Sequence, residues 1–303
     1  MKVWSILLSL CLCLSACGGP PAEETPAENS GPAGAAVTEA NPGQSPSEAT
    51  SSAVLTCRIV DGAEEGSLLL AELGEGLYGG AGVYRLNVQN LPVTLDGIAA
   101  DASVLEDGMP VDISFNGTVM ESFPAQLGEV SSISAWSRGQ GKNSTGTTYD
   151  LCGLYLQVLD DLWQKDPGLN EDISTAGLDL SRAPGELTES EKAALAWRFG
   201  ETHGVEVVMG TFEELKEQGY FTAEPLGEDA RPGAVFLHWE DGCLFSIEPN
   251  EAHAEEVYSL PTLFFNAEKW RSSLGAYGFY DCSAVWPESG TWSGYETGGE
   301  IIS

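Results

Sequence analysis

The composition breaks at one place, and that break decides where a fold can form. Residues 18–53 hold no Lys, Arg or aromatic residue, but eight Ala, six Pro, five Gly and five Glu. So little apolar side chain cannot offset the conformational entropy of folding, and the stretch reads as a disordered tether. As a loose coil it would reach on the order of 35 Å. A core has to come from residues 54–303, where every aromatic residue except Trp4 lies.

The residues before the tether read MKVWSILLSLCLCLSAC. Lys2 supplies a positive start, and residues 3–14 form an apolar run too short to span a bilayer well. Leu14-Ser15-Ala16-Cys17 follows. The segment resembles a bacterial lipoprotein signal, fitting the lipobox at all four positions. The resemblance implies a signal peptide at 1–16 and a lipidated Cys17 at the head of the 17–53 tether. It also implies a palmitate-type anchor at the outer face of the bacterial cytoplasmic membrane. Several acyl chains hold where one does not, since each buried CH₂ contributes about 0.8 kcal/mol. An ordinary secreted protein with an unmodified cysteine is the alternative.

Charge narrows the partners. Lys and Arg total 13 against 46 Asp and Glu, a formal charge of −33. Nucleic-acid binding through a general basic surface is excluded, because phosphates need positive partners. Such a surface can attract cationic peptides or loosely held calcium, or simply stay solvated. The sequence sets no oligomeric state.

Residues 54–136 read as short strands and turns. The runs 53–60, 67–73, 82–88, 109–115 and 130–136 are apolar or alternating. Asn116-Gly117 predicts a hairpin with Thr118–Glu121 as its return strand. The expectation is a small all-β, barrel-like N-terminal domain. Residues 137–148, SRGQGKNSTGTT, read as a linker. Residues 149–303 then read as an α+β domain with a mostly antiparallel sheet. Leu151, Leu154, Tyr155, Val158, Leu159 and Leu162 line one face of a first helix, which Asp166-Pro167-Gly168 ends. Thr188 with Glu191, and Thr211 with Glu214, are capping boxes for two more. Ala193 and Trp197 are expected to face inward, and the second helix to stop at His203-Gly204. Glu240-Asp241-Gly242 predicts a hairpin between strands 234–238 and 243–247. Further strands are expected at 257–265, 277–286 and 291–295.

LEDGMPVDISFNGTVMESFPAQLGEVSSI is similar to part of the small OB-like β domains of Gram-positive surface lipoproteins of unknown function. The tail GAYGFYDCSAVWPESGTWSGYETGGEIIS resembles the same uncharacterised family. The likeness implies a location and carries no active residue. OB-like domains often bind oligonucleotides or sugars, but residues 54–136 hold 2 basic against 12 acidic residues, which disfavours oligonucleotides.

Chemistry-bearing residues are sparse. Cys57, Cys152, Cys243 and Cys282 remain once the signal and the lipid anchor are set aside. A Cys243–Cys282 disulfide is favoured, with Cys57–Cys152 as the second; four buried thiols are the alternative. No Cys-x₂-Cys spacing suggests zinc, and neither His-Glu-x-x-His nor Gly-x-Ser-x-Gly occurs. His203 reads as a helix C-terminal residue and His253 as part of a solvated loop or short helix. His238, near Glu240 and Asp241, is the one weak candidate for a general base. Asp160-Asp161 and Asp166 to Asp172 depart from calcium-loop spacing, leaving calcium a weak possibility and no other cofactor or metal. Tyr277, Trp286, Trp292 and Tyr295 either fill a core or form a ligand-binding surface for a cell-wall glycan or a protein.

The reading is an extracytoplasmic, lipid-anchored accessory or ligand-binding protein with no assignable catalysis. The alternative is a cell-envelope hydrolase working through a cleft in 149–303.

Overall fold

The computed structural model describes residues 52–74, 80–137, 150–227, 231–253, 262–286 and 294–303. Residues 49–303 cluster as one compact unit.

The first half builds one sheet from β1 (Ala53–Asp61), β2 (Ser67–Glu72), β3 (Val83–Asn87), β4 (Val93–Leu95), β5 (Ile98–Ala100), β6 (Pro110–Phe115), β7 (Val119–Met120), β8 (Ala125–Leu127) and β9 (Val130–Ala135). Their order is β5-β4-β9-β6-β1-β2-β3-β8-β7. The expected barrel is therefore corrected to an open sheet: closure requires the two end strands to bond each other, and β5 and β7 do not. The reason lies in β1 and β2. Leu68 and Leu70 enter the core of this sheet together with Leu55, Cys57 and Ile59. The alternate residues Val60, Leu69 and Ala71 enter the core of the second half. Both faces of these strands are thus buried, as in a layered sheet. The Asn116-Gly117 hairpin is also corrected. Asn116 Oδ1 accepts from the Thr118 amide at 3.0 Å, and its own amide donates to Glu129. β7 pairs with β8, and β6 takes β9 as its antiparallel partner instead.

The second half runs α1 (Leu151–Gln164), β10 (Thr175–Asp179), α2 (Glu189–His203), β11 (Glu206–Met209), α3 (Phe212–Glu217), β12 (Thr222–Pro225), β13 (Val235–His238), β14 (Gly242–Pro249), β15 (Thr262–Ser272), β16 (Gly275–Val285) and β17 (Gly299–Ile302). Its sheet is mixed. β10 pairs in parallel with β11 and β14, while β12–β13, β14–β15, β15–β16 and β16–β17 are antiparallel. The α+β class holds in this mixed form. The hairpin expected at Glu240-Asp241-Gly242 is absent, because β13 and β14 both pair with β15. The apolar stripe of α1 is buried as its spacing demands, against Phe199 of α2 and Phe245, Phe265 and Phe279 of the sheet. Both capping boxes are formed. The last described strand is β17; residues 254–261 and 291–293, within two of the expected strands, lie outside the described residues.

The cysteines correct the disulfide expectation: Cys57, Cys152, Cys243 and Cys282 are free and buried. Cys57 points into the core of the first sheet and Cys152 into the other, so β1 stands between them. Cys243 on β14 and Cys282 on β16 have β15 between them. Strands two apart are separated by about 9.5 Å, beyond the reach of a disulfide.

Candidate functional site

An apolar opening lies where α2 passes the edge of the mixed sheet. Ala193, Ala196, Gly200 and Gly204 recur at helical spacing along α2 and form a shallow floor with Trp197 beside them. Gly204, with φ +68°, is the left-handed cap that turns the chain directly into β11. Gly200 permits the close approach that follows: a Cβ there would sit 2.8 Å from the Val205 carbonyl oxygen. Val205, Val207 and Met209 form the second wall. Phe123, from the loop between β7 and β8, forms the third. The groove encloses about 560 Å³. Phe123 is 62% exposed and Met209 40%, although both are large apolar side chains. The Arg85 guanidinium lies 4.9 Å from the centre of the Trp197 ring. Glu201 lines the groove, and Glu206 is exposed beside it.

The sequence candidates lie elsewhere. Tyr277 is buried, its hydroxyl donating to Glu300, which also pairs with Lys165 at 2.7 Å. Tyr295 packs beside Phe265 and Phe279, and its hydroxyl donates to Asp161 at 3.1 Å. Burial, followed by the neighbouring Asp161 carboxylate, pushes its phenol well up. Trp286 is half-buried at the end of β16. Trp292 and Cys17 lie outside the described residues. His238 stacks on Phe236, with ring centres 5.3 Å apart, and its Nδ1 is buried without a hydrogen-bond partner. The neighbouring acids are engaged with other groups: Glu240 O accepts from Arg271, Asp241 O accepts from the Ser174 and Thr175 amides, and the Asp241 carboxylate accepts from the Ser174 hydroxyl at 3.2 Å.

Histidine–carboxylate pairs form instead at the other two positions. His203 Nε2 is 2.8 Å from Asp160, its ring stacked on Trp163. His253 Nε2 is 2.7 Å from Asp281, which also accepts from Asn250 at 2.9 Å. Asp281 has φ +56° at the bulge where β16 slips against β15. On the same face, Tyr280 donates to Glu268 at 2.7 Å. Its phenol is pushed up to about 12, first by burial and then by that bond. Near the end of α1 the Lys269 ammonium lies among oxygens of the chain. Its Nζ donates to the carbonyls of Trp163, Lys165 and Asp166 and to Asn170 Oδ1. No group of three or more His, Cys, Asp and Glu stands ready for a metal among the described residues.

Sequence reasoning missed Phe123 and Met209; Trp197, expected to face inward, is half-buried and packs against the core while also lining the groove. The available signal was the stripe of small residues on α2, which leaves that side of the helix without the bulk to fill a contact. No protein-family model, curated protein or solved structure matches this chain. No helix among the described residues is long and apolar enough to cross a membrane.

Proposed function

We propose that this chain is a lipid-anchored, extracytoplasmic binding protein that holds a polypeptide ligand in the groove between α2 and β11. Cys17 supplies the anchor and residues 18–53 the reach. The observation that carries the reading is the exposure of Phe123 and Met209 over an apolar groove. Exposed aromatic and Met side chains around a concave apolar surface favour protein contacts, because a rigid ring buries much area at small entropic cost and a flexible Met adapts its shape to the partner.

A photo-crosslinking residue at position 123, in cells producing the full chain, tests this. One polypeptide should be captured there. It should be lost with Met209→Asp, and absent when the crosslinker replaces Ile98, which is 73% exposed on β5 at the other end of the first sheet. Equal capture from both positions would remove the groove from consideration. Separately, Cys17→Ser should release the chain from the membrane fraction, and retention in the original proportion would refute the anchor.

A further inference from the structure

The groove has one wall with a property that a purely apolar pocket lacks. β11 is the last strand of its sheet among the described residues, bonded only to β10. The amides of Glu206 and Gly210 donate to Ser174 and Leu178 at 2.9 and 3.1 Å. Backbone groups alternate along a strand, so residues 206, 208 and 210 face β10, while the N–H and C=O of Val207 and Met209 face outward. Val207 and Met209 are also the residues whose side chains line the groove. The hydrogen-bonding edge and the apolar wall are therefore the same two residues.

Natural edge strands are protected by shortness, charged side chains, Pro or a bulge. β11 reads Glu-Val-Val-Met and pairs without a register shift. Its one charge is Glu206, and the groove adds Glu201. A second copy of this chain would bring the same excess of carboxylates to this edge. A basic partner meets them with the opposite sign, on a molecule whose formal charge is −33. Two nearby cations are already engaged: Arg85 lies over the Trp197 ring of the groove itself, and Arg198 pairs with Asp61 at 2.5 Å.

We infer, building on the groove as the binding site, that its occupant is an extended segment of alternating apolar and basic residues added as a new strand beside β11. Main-chain bonds to Val207 and Met209 would hold it. Alternate side chains would enter the groove towards Trp197 and Phe123, as in other cases of strand addition. The intervening basic residues would face Glu206, which strand alternation turns to the side of the sheet away from the groove.

The probes are three nine-residue peptides: alternating Val and Lys, the same peptide N-methylated at alternate backbone positions, and alternating Val and Glu. Each is titrated into the full chain, with hydrogen–deuterium exchange resolved at residues 205–210. The Val/Lys peptide should bind and protect the Val207 and Met209 amides. N-methylation on the pairing edge should weaken it about tenfold, the scale of one or two lost hydrogen bonds. Glu206→Lys, on an exposed side chain, should weaken it several-fold, and the Val/Glu peptide should bind less well still. If the methylated peptide binds equally while Phe123→Ala still weakens it, strand addition is overturned and the groove reading survives. If Phe123→Ala changes nothing and protection appears elsewhere, both fall. Equal binding of the Val/Glu peptide would overturn the basic partner, and failure of every peptide to bind would overturn the inference as a whole.

Discussion

One carboxylate joins the two halves of the molecule. Glu191 Oε2 accepts from the Thr188 amide at 2.9 Å, completing the cap of α2. Its Oε1 accepts from Arg58 Nε of β1 at 2.7 Å, and Arg58 Nη1 donates to the Gly108 carbonyl at 2.9 Å. Both side chains are 4% exposed. A buried ion pair contributes little net stability because desolvation offsets its attraction, but removing one partner strands the other charge. Arg58→Met should therefore cost about 3–5 kcal/mol in urea unfolding. Adding Glu191→Gln should recover much of that loss, since Gln still caps the helix and carries no charge. A loss below about 1 kcal/mol for Arg58→Met alone would show that the pair does not join the halves.

At the scale of elements, what the sequence shows is local. The stripe from Leu151 to Leu162, the two capping boxes and the Gly204 stop are each set within a few residues, and each is formed. Pairing is not local. Nothing within Asn116-Gly117 says that the Glu129 backbone will take its edge, and nothing within Glu240-Asp241-Gly242 says that β15 will separate β13 from β14. The run Leu68-Leu69-Leu70-Ala71 did carry the relevant signal, since a strand apolar at every position is buried on both faces. The groove escaped notice because Phe123 comes from a segment far along the chain from Trp197 and Val207. The turn before β14 shows how such distant contacts fix a position. Trp239 is 1% exposed and packs against Tyr220 and Phe221. A Cβ on Gly242 would lie 2.0 Å from its ring, and one on Gly177 would lie 3.0 Å from it. Gly242→Ala must push the indole out of its place, so it should cost about 1–3 kcal/mol. The measurement is urea unfolding followed by tryptophan fluorescence, with the emission of the native state shifted to the red. An unchanged midpoint and spectrum would mean that the site has room the geometry denies.

Across the whole molecule, burial favours the uncharged form of each ionisable group. It pushes the thiols of Cys57 and Cys152 well up, Cys243 to about 12 and Cys282 to about 11. Burial also raises the phenols of Tyr155 and Tyr280. In the unfolded chain thiols ionise from about pH 8.5 and phenols from about pH 10. Above those values the folded state keeps protons that the unfolded state has released, so stability falls as pH rises. Lys269 works the other way. Burial lowers its ammonium to about 8, so between that value and its unfolded value of about 10.4 the folded state releases a proton first and gains stability. One lysine opposes four thiols, and the thiols prevail. The free energy of unfolding should fall from pH 9 to pH 11, and Cys152→Ala should flatten that fall by up to about 1.4 kcal/mol per pH unit, the weight of one proton. Alanine will also lower stability at neutral pH by opening a cavity, so the slope is the quantity to compare, not the midpoint. A slope that Cys152→Ala leaves untouched would mean that this thiol ionises as readily inside the fold as outside it, and that the core around α1 admits water.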